Sequence, residues 1–243
     1  NQTLAGGGLV AVSVAIGADA VLAPGSSVGT LTISQDLSIA AGGNYNWQML
    51  DATGTAGGGW DVIQSASLTL SSLAAGTPFN VNLGSLSSVS PDVTGNAAHF
   101  DASTPGAWRI LTSGAAISGF DPTLFKVNTL PTAGSGGFTN PLLGGTFSLA
   151  LSGDSLGIDL VFTPATPYTW YGNGTTPGGS GTWTAAGLTW NDGSGMAAWD
   201  PTRNARFATT GGTVTISGGQ TAGNGLNFVV GGYTITGDGL ALT

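Results

Sequence analysis

Along much of this chain, apolar and polar residues alternate with a period of two. Thr30-Leu31-Thr32-Ile33, Leu68-Thr69-Leu70, Phe79-Asn80-Val81-Asn82-Leu83, Thr213-Val214-Thr215-Ile216 and Tyr233-Thr234-Ile235-Thr236 each place an apolar side chain at every second position. Successive side chains of a strand point to opposite faces, so this is the pattern of a half-buried strand. The runs are short and close at Gly, Asn or Asp. No long stretch carries the i, i+3, i+4 apolar spacing of an amphipathic helix. Asp121-Pro122-Thr123-Leu124-Phe125 predicts one helical turn, with Asp121 as its cap and Pro122 in the first helical position. An all-β fold is expected.

The texture changes along the chain. Residues 1–43 read as short rungs: Thr3-Leu4-Ala5, Val12-Ser13-Val14-Ala15-Ile16, Val21-Leu22-Ala23-Pro24 and Thr30-Leu31-Thr32-Ile33, with apolar pairs recurring at short, loose intervals. Such spacing suits a β-solenoid, in which short stacked strands share a continuous core and Gly and Asn form the corners. Residues 44–163 keep the strands but join them by longer connections, such as 87–105 and 130–141, and form an irregular β-rich region or a continued solenoid with excursions. Two prolines within 164–167 mark a linker. Residues 168–243 begin with four of the seven Trp and return to rung texture from Gly211 onward. Both termini read as cut ends of a longer solenoid, and the start at Asn1 reads as a mature or excised form.

Composition narrows the function. Hydrophobic residues make up 41% of the chain and charged residues 7%, the reverse of a disordered sequence. The net charge of −8 reflects only 4 Lys and Arg, which form no cluster, so nucleic acid is not an expected partner. The absence of Cys removes disulfides, thiolate chemistry and Cys-type metal sites. No apolar run approaches the ~18 to 20 residues of a membrane helix, and membrane insertion is not expected. Surfaces of Ser, Thr, Gly and Ala with few tryptic sites suit an extracellular or cell-surface setting.

Thr169-Trp170-Tyr171-Gly172, Gly181-Thr182-Trp183, Leu188-Thr189-Trp190, Ala205-Arg206-Phe207, Gly212-Thr213-Val214-Thr215-Ile216 and Gly231-Gly232-Tyr233-Thr234-Ile235 resemble the autotransporter-associated β-strand repeat, or passenger-associated transport repeat. Leu22-Ala23-Pro24-Gly25-Ser26-Ser27-Val28-Gly29-Thr30-Leu31-Thr32-Ile33 resembles a rung found toward the end of such passengers. The resemblance covers residues 1–43 and 168–243. It implies a right-handed parallel β-helix exported to a bacterial surface. The order of solenoid end, middle region and new solenoid start departs from a plain autotransporter and fits a module of a tandem array.

Candidate chemistry is sparse. The lone His99 would need Asp101 as its orienter and a distant Ser as nucleophile, and no Gly-x-Ser-x-Gly elbow accompanies it. The Asp residues are scattered singly, mostly beside Gly, Pro or Asn, where Asx side chains bond their own turns. A polysaccharide-active enzyme would instead need two facing carboxylates. Asn191-Asp192-Gly193 and Gly237-Asp238-Gly239 read as turns, and any calcium would be adventitious; no cofactor is expected. Asn1-Gln2-Thr3 and Asn173-Gly174-Thr175 match the glycan acceptor pattern.

The function expected is structural and non-catalytic: a building block of a bacterial surface fibre, sheath or stalk. Its partners would be copies of itself or adjoining modules of one parent protein, head to tail. Leu4, Val12, Val14 and Ile16 at one end and Tyr233, Ile235, Leu240 and Leu242 at the other would form the assembly edges. The alternative is a carbohydrate-binding adhesin domain in which Trp170, Tyr171, Trp183, Trp190 and Trp199 stack on polysaccharide, against a reading of the same Trp as core residues.

Overall fold

The period-two pattern becomes strands throughout a computed structural model that describes residues 2–242. Asn1, which begins one of the two glycan acceptor patterns, lies outside the described residues. The fold is all-β, built from several parallel and mixed sheets. The helical turn at Pro122–Leu124 is 3-10, with the Asp121 carboxylate accepting from Thr123 N as its cap. The chain divides into two compact units. One comprises Asn1–Asp101, Pro105–Pro141 and Phe147–Thr163; the other comprises Ala102–Thr104, Leu142–Thr146 and Pro164–Thr243.

In the first unit the strands are β1 (Thr3–Gly6), β2 (Gly8–Val10), β3 (Val14–Ile16), β4 (Val21–Pro24), β5 (Thr30–Ala40), β6 (Asn44–Met49), β7 (Val62–Ser72), β8 (Phe79–Val89), β9 (Asp92–Thr94), β10 (Gly106–Ser113), β11 (Phe125–Asn128), β12 (Thr146–Leu151) and β13 (Gly157–Thr163). One sheet runs β1-β4-β6-β8-β11, parallel throughout, with β9 folded back on β8. The other runs β12-β13-β10-β7-β5-β2, with β3 also on β5. Successive passes of the chain therefore stack on each other. β1, β2 and β3 lie against β4 and the two halves of β5, which lie in turn against β6 and β7.

In-register stacking turns alternation into rows. Leu4, Leu22, Tyr45, Val81 and Val127 occupy matched positions, as do Leu31, Ile63 and Leu111. Leu22, Leu31, Tyr45, Ile63, Val81 and Leu111 are all buried. A regular pass returns from Leu4 to Leu22 and from Val14 to Leu37. These steps are longer than the apolar intervals in the sequence because each pass holds more than one strand. The middle region extends both sheets and then adds an antiparallel strand, β13 on β10.

The outward face of the first sheet carries a second kind of row. Asn46, Asn82 and Asn128 stand in register, and their amides form a chain: Asn128 Nδ2 donates to Asn82 Oδ1 at 2.8 Å, and Asn82 Nδ2 to Asn46 Oδ1 at 2.9 Å. Asn46 Nδ2 then donates to Gly134 O, in a loop whose Ser135 hydroxyl reaches Leu83 O. Gly134 has a φ of +87°, and a Cβ there would meet Asn46 Nδ2 at 2.6 Å, so both the backbone conformation and the close approach call for glycine. Asn46 and Asn82 are buried, and the ladder satisfies them.

The second unit contains β14 (Tyr168–Trp170), β15 (Gly181–Trp183), β16 (Trp190–Asn191), β17 (Met196–Ala197), β18 (Ala205–Phe207), β19 (Thr213–Ile216), β20 (Gln220–Ala222), β21 (Leu226–Phe228), β22 (Thr234–Gly237) and β23 (Leu240–Leu242). β14, β16 and β17 form an antiparallel meander. The remaining passes are parallel. β18, β19 and β20 carry β21, β22 and β23, which sets Leu226 against Ala205, Ile235 against Val214 and Leu240 against Gln220. The step along the chain is nearly the same for all three pairs.

Replacing Asn82 by Ala removes the middle rung of the ladder and leaves Asn46 Oδ1 without its donor and Asn128 Nδ2 without its acceptor. The expected loss is about 2 to 3 kcal/mol, since a buried polar group stripped of its partner costs roughly 1 to 3 kcal/mol. Urea denaturation of Asn82→Ala beside the parent protein checks this; an unchanged midpoint would show that the ladder adds nothing.

Candidate functional site

The sheet orders show which backbone groups lack a strand partner. Among the described residues β1 pairs with β4 alone, and β2 and β3 each pair with β5 alone. Likewise β21 pairs with β18, β22 with β19 and β23 with β20, each along one side. The first pass and the last pass thus each present three strands with one open edge. Other sheet edges exist at β9, β11, β12, β15, β17 and β20. The two end passes differ from these in opening all the strands of a pass together.

Apolar side chains gather at the same places. Among the exposed large hydrophobic residues, Leu9 and Val12 lie in the first pass and Phe228, Val229 and Leu242 in the last. Native sheets guard free edges with Lys, Pro or inward charges. Residues 2–16 contain no charged residue, and 226–242 contain only Asp238, whose carboxylate accepts from Gly218 N at 2.7 Å.

The edge residues expected from the sequence fall as follows. Leu4, Val14 and Ile16 lie in β1 and β3 on the interior side, Ile16 buried beside Ile39 of the next pass. Val12 lies between β2 and β3 and is exposed. Ile235, Leu240 and Leu242 lie in β22 and β23, with Leu242 exposed. Tyr233 precedes β22; its ring packs 5.2 Å from Phe207 and its hydroxyl donates to Ala208 O, so it closes a corner. Leu9 and Phe228 were not among the expected edge residues, although Phe228 stands in the rung Gly225-Leu226-Asn227-Phe228 that the sequence displays.

The Trp cluster is interior. Trp170, Trp183 and Trp190 are fully buried and Trp199 nearly so, packed with Phe207, Val214 and Ile216. Trp183 lies 4.8 Å from Trp190 and 4.9 Å from Trp199 in edge-to-face geometry. Trp170 and Trp199 donate their indole N–H to Gly179 O and Thr221 O. These four rings offer no face to a sugar, and Tyr171 alone of the proposed stacking set is half-exposed. They core the unit because short strands with many Gly leave volume that only large side chains fill.

Four of the carboxylates are committed to their own turns. Asp51, Asp121, Asp192 and Asp200 each accept from the backbone N–H and the hydroxyl of the Thr or Ser two residues on, in an Asp-x-Thr or Asp-x-Ser turn. His99 meets Asp51: its Nδ1 lies 2.9 Å from Asp51 Oδ1, on the surface, with a φ of +56°. The His99 ring first, and then the turn bonds, hold the Asp51 carboxyl below the usual carboxylate range. At Asp121, Asp192 and Asp200 the hydroxyl and backbone donors of the turn do the same. Among the described residues no three His, Cys, Asp or Glu groups come together as a metal site.

Asp61 is different. It is buried, and its two oxygens accept from Gly29 N at 2.7 Å and Gln48 N at 2.8 Å, while its backbone O accepts from Trp47 Nε1. It pins the corner before β5 to β6. Nothing in its local sequence, Gly59-Trp60-Asp61-Val62, marks this role, because both partners are distant in the chain. No protein-family model matches the chain, and a search of curated proteins found no match.

Burial pushes the Asp61 carboxyl up to about 8, against the pull of its two N–H donors, and Asp92 adds to the rise. Burial, and after it the Asp61 charge, raises the Tyr45 hydroxyl. A carboxyl whose folded value exceeds its unfolded one binds its proton more tightly in the folded state. Its contribution to stability is full below pH ~4 and is lost as pH rises toward 8, by up to about 1.4 kcal/mol per pH unit. The Asx-turn carboxylates act in the opposite sense, only below about pH 4. Thermal unfolding from pH 4 to 8 should show a falling Tm in the parent protein and a flatter profile in Asp61→Asn; parallel profiles would refute the assignment.

Proposed function

We propose that this chain is a non-catalytic structural module: a right-handed parallel β-solenoid of the kind found in autotransporter-associated repeats, serving outside the cell as a building block of a bacterial surface fibre, sheath or stalk. The observation that carries the reading is the in-register stacking of successive passes within each unit, with unguarded apolar residues exposed on the edge strands β2, β21 and β23. Such an edge is a template for further strand addition. Stacking the last coil of one copy on the first coil of another is a head-to-tail contact, and repeated without closure it gives a filament.

The commitments of the polar side chains support a structural role. Asp and Asn are spent on turns, ladders and corners, and the Trp cluster on the core, which leaves no exposed strip of those Trp to favour the adhesin reading.

Negative-stain electron microscopy at increasing protein concentration is the direct check. Rods that lengthen with concentration, with an axial repeat of one chain, are the expected result. Particles of one fixed length at every concentration would overturn end-to-end assembly.

A further inference from the structure

We infer that the second unit carries a binding cleft for a hydroxylated monocarboxylate, the chemical class of the sugar acids, with the Arg206 guanidinium as its anion-binding group. Strand alternation sets this residue in place. Ala205 and Phe207 of β18 are fully buried, so Arg206 between them stands on the outward face, in register with Thr169 of β14 and Asn227 of β21. A cleft of about 320 Å³ opens there, and every residue lining it belongs to the second unit. Ligand pockets span ~300 to 1,000 Å³, so this one suits a single small ring.

Charge singles out the arginine. Of the 4 basic residues, Arg109 pairs with Asp159, Arg203 pairs with Asp200, and Lys126 is exposed on β11. Arg206 is half-buried, and among the described residues its side chain has no ion pair and no hydrogen bond. No carboxylate lines the cleft, so an entering anion meets the guanidinium without a competing acid. The planar fork of guanidinium donors matches a carboxylate in bidentate fashion. As the one cation in the lining, it balances a single negative charge, whereas a phosphate group carries close to −2 at neutral pH.

The rest of the lining fits hydroxyls and C–H faces. Asn204 is buried, and its Nδ2 donates to Asn224 O at 2.9 Å and Gly225 O at 3.2 Å, which fixes the amide and leaves its oxygen to accept. Asn227, one strand along from Arg206, brings an amide that both donates and accepts. Leu143, Ala165, Pro167 and Val229 supply the apolar walls. Leu143 is held at a φ of +50° in a turn closed by Gly145 N donating to Leu142 O at 2.8 Å, so that wall is built into the fold. Two amides beside one guanidinium favour a ligand whose hydroxyls adjoin its carboxylate over a simple anion.

Saturation-transfer difference NMR on the full chain, titrated with sodium glucuronate or with glucose, tests the site independently of end-to-end assembly. Saturable transfer to glucuronate is expected, with glucose binding about tenfold more weakly or worse, because it lacks the charged acceptor. Arg206→Gln should lose about tenfold or more in glucuronate affinity, while Arg203→Gln, which breaks the exposed pair with Asp200, should leave it unchanged. No saturable transfer to glucuronate, equal binding of glucose, or an unchanged affinity in Arg206→Gln overturns the proposal. Displacement of glucuronate by equimolar acetate or inorganic phosphate overturns it too, since the site would then take any small anion. Should circular dichroism show Arg206→Gln misfolded, the comparison of the four probes on the parent protein decides alone.

Discussion

A very short strand cannot satisfy its own backbone or cover its own side chains. In this protein most passes of the chain are made of such strands, so each depends on the pass before and the pass after for hydrogen bonds and for burial. The dependence is visible in the gradient of exposure along one row. Ala205 and Phe207 are fully buried within their sheet, whereas Leu226 and Phe228, with a neighbour on one side, are not. Parallel register is the constraint from which the rest follows, because it places like positions over like positions and turns a local alternation into rows that run through a unit.

Rows of polar residues obey the same constraint. With 4 basic residues in the chain, few buried polar groups can be neutralised by ion pairs, and they are satisfied by short neutral side chains instead. Asn suits a ladder because its amide both donates and accepts, so one residue type can bond its own image above and below. All the acidic residues are Asp, whose short side chain reaches backbone within its own turn or one pass away. Asp36, which takes the hydroxyls of Ser67 and Thr69, and Asp61 stitch one pass to another. The exposed turn carboxylates fix corners and are held ionised by the bonds that do so.

What could be read in the sequence was what is local. Alternation marked β5, β8, β19 and β22, and the Asp121 cap marked its turn. What could not be read was decided at a distance. β5 and β7 run on past the polar residues at which the alternation stops, because each is paired along its neighbour with small register shifts. The Asn ladder and the His99 contact with Asp51 each join residues from separate passes. The cluster of Phe100, Trp108, Phe138, Phe147 and Phe162 is assembled from separate segments with no shared pattern. Glycine gave the weakest guidance: the same residue serves at a close approach in Gly134 and at an open position in Gly8, and only the surroundings tell them apart.

An open sheet edge, such as those of β1 to β3 and β21 to β23, poses a problem that the middle of a sheet does not have. A natural sheet that is to remain single covers its edge or charges it, at some cost in stability. Here the edges carry Leu, Val, Ile, Phe, Thr and Gly, and the one acid among them is turned to a backbone N–H. Edges without charge attract any strand, so selectivity has to come from shape.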